Sequence, residues 1–163
     1  MISPSVIERF KVSVRGEVLC PGEQRYDEAR KIHNAMIDRH PAIIVRCTGV
    51  ADAIATVKLT REHQIAASVL GTGHNVAGVS LCDGGIVIDL RAMKGIHVNP
   101  ELRTARVEPG VTWGELNREL QTFGLAATGG YVGTTGVGGL TLGGGLGWMV
   151  RKYGCALDPT TGY

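Results

Sequence analysis

From Thr128 to Gly147 the chain reads TGGYVGTTGVGGLTLGGGLG, with glycine at ten of twenty positions. Flexible linkers of comparable glycine content are polar and serine-rich, whereas this tract is interleaved with Val132, Val137, Leu140, Leu142, Leu146 and Trp148, residues that a fold buries. Glycine lacks a Cβ, so its backbone can come within hydrogen-bonding distance of a large flat ligand or a pyrophosphate, and successive turn amides make an anion nest. The competing reading is close packing of backbone against backbone.

The rest of the chain is patterned in the ordinary way. YDEARKIHNAMI puts Ala29, Ile32, His33, Met36 and Ile37 on one predicted helical face, and PAIIVRC behind it reads as a short buried strand. VADAIATVKLTREH repeats the helical pattern with Val50, Ala53, Ile54 and Val57 inward, and IAASVLG follows as a second strand, giving a β-α-β unit. After the next loop the character changes to mostly β: GGIVIDL is a strand, and GIHVNPELRTARVEPG is a hairpin turning at Asn99 and Pro100. Thr112 with Glu115 then forms a capping box for a helix carrying Leu116, Leu120 and Phe123 on one face and ending at Gly124.

A length of 163 residues can bury roughly two-thirds of its unfolded surface, enough for one core. Seventeen Lys and Arg against 15 Asp and Glu give no electrostatic case for nucleic acid or an anionic membrane. Cys20, Cys47, Cys82 and Cys155 lie far apart with no zinc-site spacing, so they read as reduced, packed thiols, with no metal expected and a cytoplasmic setting favoured. The N-terminal MISPSVIERFKVSVRG has charges every few residues and no apolar core, and no stretch approaches a membrane span.

A second glycine segment, GTGHNVAG at Gly71 to Gly78, follows the second strand and encloses His74. It is not a phosphate-binding P-loop, because Val79 and Ser80 stand where the lysine and hydroxyl would be needed. Nor is it a dinucleotide fingerprint, since Gly71-Thr72-Gly73 runs on to Val76 and a strand-like run rather than a helix.

Taken in order, HPAIIVRCTGVADAIATVKLTREH, VLGTGHNVAGVSLCDGGIVIDLRAMKGIHVNP, GVTWGELNRELQTFG and ATGGYVGTTGVGGLTLGGGLGWMVRKYG resemble the N-terminal FAD-binding module of FAD-linked oxidases of the vanillyl-alcohol-oxidase/PCMH superfamily, in its berberine-bridge-enzyme-like branch. The resemblance spans about residues 16 to 155, with two separate motifs in the family's order and spacing. It implies an α+β fold, a PCMH-type FAD-binding domain with a small β-α-β subdomain followed by a mostly antiparallel β subdomain, incomplete at the C-terminus. Residues 1–25 are then a lead-in and 26–163 the domain.

The implied cofactor is FAD. Leu70, Gly71, Thr72, Gly73, His74, Asn75 and Gly78 of the first loop would stand near its pyrophosphate, and His74 occupies the position commonly bonded to the flavin 8α-methyl carbon. Val132, Gly133, Thr134, Thr135, Gly136, Val137, Gly138, Gly139 and Gly143 of the second would face the isoalloxazine and ribityl chain. Val132 stands where bicovalent members carry cysteine, so a single bond is expected. The first loop departs from the usual Arg-Gly-Gly-Gly-His by having Leu70 and Thr72. The implied reaction is hydride transfer from a substrate carbon, often one bearing hydroxyl, to flavin N5, with reoxidation by oxygen or another acceptor.

No residue reads as a general base, since His33, His40, His63 and His97 fall on helix ends or strands. ALDPTTGY no longer resembles the family's continuation. The expectation is therefore a chain inactive by itself and open to self-association, with the small-molecule substrate handled elsewhere in a longer protein. A nucleotide-binding module without redox chemistry, a non-functional truncated product and a non-covalent relative such as the peptidoglycan-precursor reductase are the alternatives, and His74 argues against the last.

Overall fold

The longest apolar runs of the sequence become parallel strands in the computed structural model, which describes residues 2–158. The chain divides into two units, the first ending at Ala92 and the second beginning at Met93. In chain order the first holds α1 (Pro4–Lys11), β1 (Glu17–Leu19), α2 (Tyr26–Ala29), β2 (Ile43–Arg46), α3 (Val50–Glu62), β3 (Ala67–Leu70) and β4 (Ile86–Asp89). Their strands form one sheet in the order β1-β2-β4-β3, with β2, β4 and β3 parallel and β1 antiparallel at the edge. Ile43, Ile44, Val45, Ile86 and Val87 are completely buried. Strands covered on both faces require such unbroken apolar runs, and each side chain removed from water stabilises the fold by roughly 1.5–3 kcal/mol. β3, at the other edge, alternates between exposed and buried. GGIVIDL thus belongs to the α/β sheet, at its centre, and the change of character falls after it.

Two helical expectations are corrected. The helix read across residues 26–37 stops at Ala29. There the Arg91 guanidinium, paired with Asp89, donates to the Ala29 carbonyl over 2.6 Å, and Asn34 turns the chain by accepting from the Met36 N–H through its own side chain. Met36, expected on the inner face, is 90% exposed. Helix α3 forms as expected but shows the opposite face: Val50, Ile54 and Val57 are exposed, and Asp52, Thr56, Leu59 and Thr60 are buried. Asp52 is the reason. Its carboxylate accepts from the N–H groups of Arg15 (2.9 Å), Gly16 (3.1 Å) and Thr48 (2.9 Å) and from the Thr48 hydroxyl (3.0 Å). Hydropathy cannot anticipate a carboxylate buried by four donors.

The second unit contains β5 (Ile96–Asn99), β6 (Thr104–Val107), α4 (Trp113–Gln121), α5 (Val137–Leu142) and α6 (Val150–Tyr153). β5 and β6 form the expected antiparallel hairpin, Asn99 opposite Thr104. The expected capping box is complete, with Thr112 accepting from the Glu115 N–H and Glu115 accepting from the Thr112 N–H over 2.7 Å. Leu116 and Leu120 join Val111 and Trp113 in the core, while Phe123 lies beyond the last turn and is exposed. The end of ALDPTTGY, residues 159–163, lies outside the described residues. Among the described residues no helix is long and apolar enough to cross a membrane, and none of the four cysteines is in a disulfide.

Candidate functional site

Leu70 ends β3 completely buried, and the glycine loop begins at the next residue. The loop rests on residues 32–37, the segment that failed to become helix. The His33 N–H donates to the Gly73 carbonyl (3.1 Å), and the Asn34 carboxamide donates to the Val76 carbonyl (2.9 Å). Gly73 has φ +79°, and a Cβ on it would lie 3.0 Å from the Ile32 side chain; a Cβ on Gly78, at φ +70°, would lie 2.6 Å from Ile37. These two glycines are fixed by conformation and by contact together. Asn75 closes the loop, its carbonyl accepting from the Gly78 N–H and its side chain from the Val79 N–H.

The loop's backbone is polarised by these bonds. The carbonyls of Leu70, Gly73, Val76 and Asn75 all accept hydrogen bonds from the protein, whereas no N–H from Gly71 to Ala77 donates to an acceptor among the described residues. A run of free donors suits an anion or an acceptor-rich ligand. His74 is half-buried, and its ring stacks on that of His33, with centroids 4.2 Å apart and planes 15° apart. Burial, and after it the His33 ring, push His74 below the ordinary imidazole range, favouring the neutral form.

The second glycine segment shows the same polarity within its own unit. It returns alongside the start of α4, where Gly136 bridges Thr112. The Gly133 carbonyl accepts from the Gly114 N–H and the Thr135 carbonyl from the Trp113 N–H, so the orphan donors of the helix's first turn are satisfied by the tract. The N–H groups of Gly133, Thr134, Gly138 and Gly139 donate to no acceptor among the described residues.

The tract's glycines then fall into two sets. A Cβ on Gly129 would lie 2.2 Å from the Trp113 ring, one on Gly130 2.7 Å from Leu140, and one on Gly147 1.4 Å from the Gly129 carbonyl, so these three serve packing. A Cβ on Gly138 would meet Pro109 at an ordinary 3.5 Å, and one on Gly139 would meet nothing within 4 Å. Inside α5 such a glycine costs roughly 0.5–1 kcal/mol relative to alanine and gains no contact within this chain. Open space above Gly139, beside free amides, fits a flat ligand lying on the backbone. Val132 is exposed and Val137 half-buried against the unit's core, while the Thr135 N–H donates back to the Val132 carbonyl. Gly143 caps α5, its N–H reaching the carbonyls of Gly139 and Leu140.

With this geometry in view, the family can be stated. The profile of the FAD binding domain family matches residues 41–163, and the chain belongs to that family, whose members are FAD-dependent oxidoreductases. It is 37% identical over 151 residues to the (R)-6-hydroxynicotine oxidase of Paenarthrobacter nicotinovorans, covering 93% of this chain and 33% of the relative. The crystal structure of 6-hydroxy-D-nicotine oxidase from Arthrobacter nicotinovorans superposes with a TM-score of 0.86 at 37% identity, over 89% of this chain and 32% of that one. Berberine-bridge-enzyme-like protein 1 of Physcomitrella patens gives 0.87 at 28% identity, over 93% and 34%. The chain therefore spans about a third of the length of the relatives it matches, and the fold expected from the sequence, part of a PCMH-type FAD-binding domain, is the one observed.

The residues beneath the first loop were not legible as functional. Ile32, His33, Asn34 and Ile37 were absorbed into a helical face, although Ile32 and Ile37 stand five apart, a spacing that puts them on different sides of a helix. That spacing, with a turn-forming Asn34 between them, was the available signal.

Proposed function

We propose that this chain holds FAD with the backbone amides of its two glycine segments and bonds it covalently through His74. The observation that carries the reading is the shared polarity of the two segments, carbonyls turned into the protein and N–H groups left free, together with the open Cβ position at Gly139. Bound FAD supplies a two-electron acceptor. The amides of Gly71 to Asn75 serve the pyrophosphate, and those of Val132 to Gly139 the ring and ribityl chain. Leu70 anchors the first loop, Thr72 adds a hydroxyl where the family has glycine, and Gly78 and Gly143 close the two segments. Val132 offers no sulfur, which supports a single covalent bond. Residues 26–163 act as the FAD-binding domain and 1–25 as its lead-in.

The flavoprotein carrying this chain removes a hydride from a small-molecule carbon, with oxygen or another acceptor restoring the flavin. Unpaired cysteines support a cytoplasmic location. The 163 residues alone do not turn over substrate, because no side chain in either segment is placed as a general base.

The test is the flavoprotein expressed whole and precipitated in acid. Flavin that stays with the pellet in the wild type and enters the supernatant in His74→Ala supports the reading. Wild-type protein that surrenders all its flavin to acid rejects the covalent bond, and protein that takes up no FAD rejects the cofactor.

A further inference from the structure

His33 and His74 lie face to face, ring centroids 4.2 Å apart and planes 15° apart. His33 cannot drift from this position. Its N–H holds the Gly73 carbonyl, Ile32 on one side packs under Gly73, and Asn34 on the other is bonded to the Val76 carbonyl. The His74 side chain makes no hydrogen bond among the described residues, so nothing but the stack fixes its ring plane, and its ring nitrogens stay uncommitted.

We propose that His33 is a positioning residue for covalent flavin attachment, its ring fixing the plane of the His74 imidazole and so the direction of the attacking nitrogen lone pair. This rests on the reading of His74 as the attachment point. The new bond joins a ring nitrogen of His74 to the flavin 8α-methyl carbon. One C–H bond of that methyl and the imidazole N–H are given up as two protons, and the two electrons released pass through the flavin to dioxygen, which leaves as hydrogen peroxide. A carbon-centred attack demands alignment, and an imidazole free to rotate about its ring axis reaches the productive plane only part of the time. Burial complements the stack by keeping His74 neutral, the form with a lone pair to give.

The experiment uses the flavoprotein carrying this chain, prepared flavin-free and mixed with FAD in air, following the growth of acid-stable flavin fluorescence and, separately, the Kd for FAD. The expected result is an attachment rate at least about tenfold lower in His33→Ala with Kd within about twofold of wild type, and a rate restored to within about threefold in His33→Phe, which keeps a flat ring. Wild-type speed in His33→Ala overturns the proposal. So does His33→Phe as slow as His33→Ala, which would assign the effect to the imidazole nitrogens, and so does a Kd that rises in step with the lost rate, which would make His33 merely structural. If the wild type binds FAD and never attaches it, both the covalent reading and this proposal fall; if it attaches normally and only the His33 results disagree, this proposal falls alone.

Discussion

The N–H of Gly114 donates to the carbonyl of Gly133 over 2.8 Å. Through that bond and its neighbour from Trp113 to Thr135, the cap of α4 and the ligand-facing turn become the same piece of backbone. The tract is rigid where it serves the helix and free where it offers N–H groups.

Substitution at Gly139 separates folding from binding. Gly139→Ala should leave the apo-protein as stable as wild type or stabilise it by up to about 1 kcal/mol, because the added Cβ meets no atom in a helical position. Its affinity for FAD should drop at least about tenfold, and Gly139→Val further. Thermal melts of the apo-protein and flavin titration measure the two effects, and undiminished affinity in Gly139→Val would leave this glycine with no ligand role.

Gly147 should behave in the opposite way. Its Cβ would sit on the Gly129 carbonyl, so Gly147→Ala must displace backbone and should cost about 3 kcal/mol or more in urea unfolding. Wild-type stability here would mean that the two strands of the tract can part without penalty.

Asp52→Asn should destabilise the protein by roughly 2–3 kcal/mol at neutral pH, since one carboxylate oxygen that accepts hydrogen bonds becomes a donor. Burial alone would raise the Asp52 pKa, but the N–H groups of Thr48, Arg15 and Gly16 and the Thr48 hydroxyl outweigh it and hold the group below its ordinary value. Its folded pKa is depressed, so its stabilisation is present above the unfolded value of about 3.9 and disappears as pH falls through the folded one. The wild type and Asp52→Asn should therefore converge in stability in acid, which denaturant curves at several pH values will show.

His74 should titrate below the ordinary imidazole value of about 6.5 when its ring C–H is followed by NMR in apo-protein. Burial is the larger cause and the His33 charge the smaller, so His33→Phe should move the midpoint upward without restoring it fully. Between the folded and unfolded values the unfolded chain binds more protons, so this residue makes stability rise with pH there and contributes nothing above. An unshifted midpoint in the wild type would remove the electrostatic case for a neutral His74.

Residues 1–163 expressed alone should show no oxidation of alcohols or sugars supplied with FAD, and should self-associate. Trp148 is 83% exposed, packed edge-on only to Tyr131 (ring centroids 4.9 Å apart), with Leu142 and Leu146 also exposed in the same unit. Light scattering and turnover assays check both, and a monomer with steady turnover would mean that a catalytic base lies among residues given structural roles.

Strands, hairpin and capping box were legible because each depends on neighbours in sequence: unbroken apolar runs at Ile43 to Val45, a turn pair at Asn99-Pro100, a threonine three residues before a glutamate. The two failures depend on distant partners. Helix α2 ends where Arg91 takes its carbonyl, and α3 is turned by an aspartate whose donors include Arg15 and Gly16. In the site, the glycine pattern announced ligand-facing backbone but could not say which glycines face it; Gly129 and Gly139 look alike in the sequence and differ only in whether Trp113 stands above them.

The sheet order also sets a timetable. β2 and β3 do not pair with each other; each pairs with β4, which is made last of the three. Until residue 89 leaves the ribosome, β3 has no partner and β2 has only β1, so the centre of the sheet is a slot waiting for the chain to return. The connection that brings it back is the stretch from Gly71 to Gly85, and non-local closure of this kind is where slow folding arises. Evolution of that loop is thus constrained twice, since any change that suits a cofactor must still deliver the last strand into its slot.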